Sequence, residues 1–66
     1  MRIDRVKFAT ALARKDFSSG ELARRTGLSR VTISSVKNGR SCSKTTAAKI
    51  AAGLGVDLSQ IVSEVN

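Results

Sequence analysis

Val31, Ser34, Ser35 and Asn38, with Arg30 and Thr32 beside them, are the residues of this chain whose types and spacing suit recognition chemistry. On a wheel of 100° per residue centred on Ile33 and Val36, the first four share the opposite face, and Arg30 and Thr32 flank it. No acidic residue lies there. Short side chains let a helix backbone sink into the major groove of a duplex; the fork of Arg30 matches the two acceptors of a guanine, and Val31 can touch a thymine methyl. Ser34 and Ser35 donate or accept, so they tolerate several bases or act through water. The competing reading is a plain solvated helix surface, since scattered exposed apolar residues such as Val31 are common.

Bond-making chemistry finds few candidates. The chain has no His, and its one cysteine, Cys42, can form neither an internal disulfide nor a metal cluster. Cys42 reads as a loop residue without a role. The acids are Asp4, Asp16, Glu21, Asp57 and Glu64; Glu21 suits a helix cap, and Asp57 lies beside a helix start, where a carboxylate is favoured. General acid–base catalysis is therefore not supported. No active site, cofactor or metal is expected.

The elements that must position the reading face are two short helices and a turn. Ser18 and Glu21 are spaced as a capping box, so a helix starts there. Leu22 and Ala23 face inward, Gly27 ends the helix and turns the chain, and Ser29 caps a second helix that Gly39 stops. The apolar periods predict five helices, at about 3–15, 19–26, 30–38, 44–53 and 58–64. Phe8 and Leu12, with Val6, Ala9 and Ala13 nearby, form the inner face of the first. Ala47, Ile50, Ala51 and Leu54 form that of the fourth, which Ser43 caps and Gly55 ends. Gly53 weakens that helix late. The last shows a stripe of Leu58, Ile61, Val62 and Val65, which packs inward or offers a homodimer contact through the C-terminal helix, placing two reading helices about one DNA turn apart.

Charge narrows the partner. From Leu22 to Val56 the chain carries Arg24, Arg25, Arg30, Lys37, Arg40, Lys44 and Lys49 and no acid, within a net charge of +7. Such a stretch repels itself unless a polyanion or counterions meet it. No helix has the aromatic and leucine face of an interfacial membrane anchor. With two Phe and no Tyr or Trp, stacking of single-stranded bases is disfavoured too. Double-stranded DNA fits best. Sixty-six residues make a single domain over 1–66 with a small core; no apolar run approaches the roughly 18 residues that span a membrane, and no signal-peptide apolar region is present. A cytoplasmic location is expected.

Residues 18–39, with KTTAAKIAAGLGVDLSQIV at 44–62, resemble the Cro/C1-type helix-turn-helix domains of phage repressors and related small bacterial regulators. The marks are Leu22-Ala23, Gly27, Leu28-Ser29, Ile33, Val36, Asn38-Gly39 and the Ile50…Leu54-Gly55-Val56 run. The resemblance implies an all-α, compact five-helix, lambda-repressor-like domain whose third helix reads bases through Arg30, Val31, Ser34 and Ser35. It also implies a phosphate grip by the helix N-terminus at Ser19, by Thr32, by Asn38 at the corner, and by Arg40 and Lys44 beyond it. The function so implied is a sequence-specific transcriptional regulator, with an antitoxin-like protein acting mainly through a protein partner as the alternative. An enzyme is not implied.

Two positions depart from the family pattern. Many members tie the first helix to the recognition helix with an ion pair, whereas Leu12 and Lys37 stand at those places here, which implies apolar packing on the lysine stem. Asp16 replaces the usual Gly before Phe17-Ser18. Asp visits the left-handed region more readily than most residues.

Overall fold

Asp4 decides where the first helix begins. In the computed structural model, which describes residues 1–63, one oxygen of its carboxylate accepts from the amides of Val6 and Lys7, both at 2.9 Å. Helix α1 therefore runs Arg5–Lys15 and leaves Ile3 outside it. Helices α2 (Ser19–Thr26), α3 (Arg30–Lys37) and α4 (Lys44–Leu54) follow. Each is opened by a serine: Ser18, Ser29 and Ser43 accept from the amides of Glu21, Thr32 and Thr46, all at 3.1 Å. Such caps satisfy backbone donors that a helix start would otherwise leave unpaired. Glu21 does not complete a capping box. Its carboxylate pairs with Arg24 and, at 2.8 Å, with Nε of Arg25.

Among the described residues there are four α-helices, not five. Leu58–Gln60 is a single 3₁₀ turn, and Asp57 before it makes no side-chain cap bond. Beyond it the chain extends, and Val62 forms an antiparallel bridge with Ile3. The amide of Asp4 donates to the Ile61 carbonyl at 2.8 Å, and that of Ser63 to the Arg2 carbonyl at 2.9 Å. A continuing α-helix would need both groups for its own i→i−4 ladder. The N-terminal arm takes them instead. Ile61 is buried in the core and half-buried Leu58 packs against it, while Val62 is half-buried at the bridge. Val65, the last member of the expected stripe, lies outside the described residues.

Phe8, Leu12, Leu22, Ile33, Val36, Ile50 and Leu54 meet in one core with Ala47, Ala51, Ile3 and Ile61. On α1 the inward stripe is Phe8, Ala11 and Leu12, at i, i+3, i+4. Val6, Ala9 and Ala13 are exposed, contrary to the expectation, because each lies 100° or more around the helix from Phe8. Two left-handed residues shape the approach to the helix pair. Asp16 ends α1 at φ 58°, and Gly27 ends α2 at φ 74°. Only Gly27, Leu28 and Ser29 then separate α2 from α3.

Candidate nucleic-acid interface

Helix α3 buries Ile33 and Val36 against α1 and α2, which turns its other face to solvent. Arg30, Val31, Ser34, Ser35, Asn38 and Arg40 line one shallow depression on that face. Val31 is 76% exposed there, with its methyl groups unpartnered by the core. Backbone bonds at the corner bring Arg40 back alongside the helix: the amide of Asn38 donates to the Ser34 carbonyl and that of Arg40 to the Ser35 carbonyl, both at 3.0 Å. Six of the nine site residues expected from the sequence thus share one surface.

The other three stand apart from it. The Thr32 hydroxyl lies 3.0 Å from Oγ of Ser29 and belongs to the cap of α3. Ser19 is the first residue of α2; Ser18 caps only Glu21, so the amides of Ser19 and Gly20 have no acceptor among the described residues. Lys44 is exposed as the first residue of α4. All three lie in the first turns of their helices, where partial positive charge suits an anion.

The charges have a consistent sense. Arg30 and Lys44 both occupy first helical positions, and neither α3 nor α4 has an acid in its first turn. A cation there opposes the helix dipole, and a polyanion lying across both helix starts would reverse that cost. Arg24 and Arg25 are different: both pair with Glu21, and the guanidinium of Arg25 lies 4.4 Å from the Phe17 ring centroid. Among the described residues Arg30, Lys37, Arg40, Lys44 and Lys49 make no ion pair.

Arg5 is a neighbour of this surface that the sequence does not indicate. Its Cδ stands 3.0 Å from the point where a side chain on Gly39 would begin, so its stem crosses the Asn38-Gly39 corner from α1. Arg5 shares a second depression with Arg2, Lys37 and Asn38. The packing of α1 on α3 creates this neighbourhood, and no local motif in the first helix announces it. Leu12 is 7% exposed and belongs to the core, whereas Lys37 is exposed and shares the second depression with Val6, Ala9 and Thr10 of α1.

Two short helices, a three-residue turn, and a second helix buried on one face and small, polar and basic on the other define a helix-turn-helix module. A family model described as "Helix-turn-helix" matches residues 9–61, and the chain belongs to this Cro/C1-type helix-turn-helix family, whose domains are non-catalytic DNA-binding modules. No curated protein and no solved structure gives a significant match. Among the described residues no cluster of His, Cys, Asp and Glu could hold a metal ion, and no helix is long and apolar enough to cross a membrane.

Proposed function

We propose that the chain is a sequence-specific double-stranded DNA-binding regulator, of the repressor type found in phages and mobile elements. Helix α3 enters the major groove, where Arg30 reads a guanine, Val31 meets a thymine methyl, and Ser34 and Ser35 make adaptable contacts. Ser19, Thr32, Asn38, Arg40 and Lys44 grip phosphate around it. The observation that carries this reading is the single depression lined by Arg30, Val31, Ser34, Ser35, Asn38 and Arg40, with no acid on it. A partner-holding, antitoxin-like role is less well supported. It calls for a broad apolar patch, and the exposed large apolar residues among those described are Met1, Val6 and Val31, from three separate segments.

Selection of bound sites from a random duplex library tests the proposal. A defined site is expected, and a palindrome within it would report two copies bound at half-sites. Enrichment of no sequence, with binding that salt alone abolishes, would overturn base reading.

A further inference from the structure

Gly20 and Arg30 belong to different helices, yet the guanidinium of Arg30 rests on Gly20. Its Cζ and Nε both stand 3.2 Å from the point where a Cβ on Gly20 would begin, and Nη2 stands closer still. Any side chain at this position would force the head group to shift. Gly20 has an ordinary helical backbone, without the positive φ of Gly27, Gly39 and Gly55. Conformation therefore does not require glycine here, and glycine within a helix is intrinsically unfavourable relative to alanine. What the missing side chain supplies is a seat.

The seated guanidinium makes no hydrogen bond or ion pair among the described residues. All of its donors remain available, and the head group lies against α2 beside the unpaired amides of Ser19 and Gly20. A fork that starts from this seat has less ordering cost to meet on contact and a narrower set of base edges in reach.

We infer that Gly20 is a specificity-determining residue: by seating Arg30 on α2 it sets where the arginine fork enters the groove. This inference rests on the proposed DNA reading of Arg30. A methyl at position 20 meets only the far end of a flexible side chain, so the fold tolerates it and the fork must move.

The test compares the parent, Gly20→Ala, Arg30→Ala and the double variant by selection from a random duplex library, with thermal melts in the absence of DNA. Gly20→Ala is expected to melt no lower than the parent. Its base preference should change at one position by about 5- to 150-fold, the range of one bidentate base contact. In the Arg30→Ala background the same substitution should leave the preference unchanged. Gly20→Ser supplies the same Cβ and should reproduce the shift. An unaltered preference in Gly20→Ala, or an equal change with Arg30 absent, overturns the inference and leaves DNA reading intact. A parent that selects no site overturns the DNA reading, and the inference with it.

Discussion

Thr26 of α2 packs its methyl group directly on Gly53 of α4, and the missing side chain of Gly53 permits that contact. The Thr26 hydroxyl donates to the Leu22 carbonyl at 2.8 Å and accepts from the Leu28 amide at 3.3 Å, so its side chain is held in place. Its methyl then lies 2.6 Å from where a Cβ on Gly53 would stand, with Cδ1 of Leu22 at 3.3 Å. The weakness that glycine gives this helix in sequence terms is thus the condition for packing it.

Gly53→Ala should therefore destabilise the domain, against intrinsic propensity. Alanine gains about 1 kcal/mol as a helix former, while overpacking a tight contact costs about 1–3 kcal/mol. The clash is with a pinned methyl and a core leucine, so a net destabilisation of about 1 kcal/mol is expected. Thermal melts would show it as a fall of about 4–8 °C for a domain of this size. A higher melting temperature would mean that α2 and α4 do not approach each other in this way.

At Asp16 the expected sign is the opposite. Its φ of 58° and ψ of 36° lie in the left-handed region, reached as its amide donates to the Ala13 carbonyl at 3.1 Å. A Cβ in this region costs about 1–2 kcal/mol, less for Asp than for most residues. Asp16→Gly should raise stability by about 0.5 kcal/mol, and Asp16→Val should lower it by more than about 1 kcal/mol, roughly the cost of that strain. Urea denaturation of the three proteins checks the order Gly, Asp, Val.

What is legible in the sequence is mostly local. Ser18, Ser29 and Ser43 cap the helices assigned to them, because a cap spans three residues and its donor and acceptor are both visible in the string. The inward stripe of Ile33 and Val36 likewise leaves Val31, Ser34 and Ser35 outside by geometry alone. The fifth helix does not form because Leu58, Ile61 and Val62 have helical spacing, while the partners that stop the helix, Arg2 to Asp4, are far away in the chain. Asp4 has the side chain of a cap, but an apolar period alone does not mark it, and the first helix starts later than that period predicts. The positions of Arg5 on Gly39 and Arg30 on Gly20 depend on how whole helices pack, which no period encodes.

Phosphate binding has its own signature in salt dependence. Arg40→Ala, Lys44→Ala and Arg5→Ala should each weaken binding to all duplexes alike and reduce the slope of log K against log salt by about 0.9 for each phosphate that is no longer neutralised. Arg25→Ala is the control, since its charge is held by Glu21 above Phe17. Its slope should match the parent's. Unchanged slopes for all three test variants would return these residues to the solvated surface.

Cys42 gives a pH dependence with a defined sign. Burial raises its thiol pKa, opposed in part by the charge of the N-terminal amine, whose nitrogen donates to the Cys42 carbonyl at 3.0 Å. The folded chain thus keeps the thiol proton at a pH where the unfolded chain has lost it, so its contribution is full below the unfolded value and is lost as pH rises through the folded one. Relative to Cys42→Ser, the parent should lose stability across that alkaline window and show no differential trend below about pH 7. Thiol alkylation should also be slower in the native chain than in urea. A parallel response of the two proteins up to about pH 10 would contradict the direction.

Ile61 separates a core role from an interface role. It is 1% exposed, its carbonyl is held by the Asp4 amide, and Ile3, also 1% exposed, shares the core beneath the bridge to Val62. Truncating a buried isoleucine removes its burial and leaves a cavity, at about 2–5 kcal/mol. That is a large fraction of the stability of a small domain, which for 66 residues is about 3–10 kcal/mol at the usual increment per residue. Ile61→Ala should therefore lower the melting temperature steeply and by the same amount at every protein concentration. An interface residue would behave differently: its removal would leave the dilute melt near the parent's and change the mass measured by sedimentation in the concentrated sample. Ile61→Val, which keeps most of the volume, should cost about 0.5–1.5 kcal/mol and remain folded, so the comparison survives even if the alanine variant does not fold. A concentration-dependent difference from the parent would place Ile61 between copies of the chain and undo its assignment to the core.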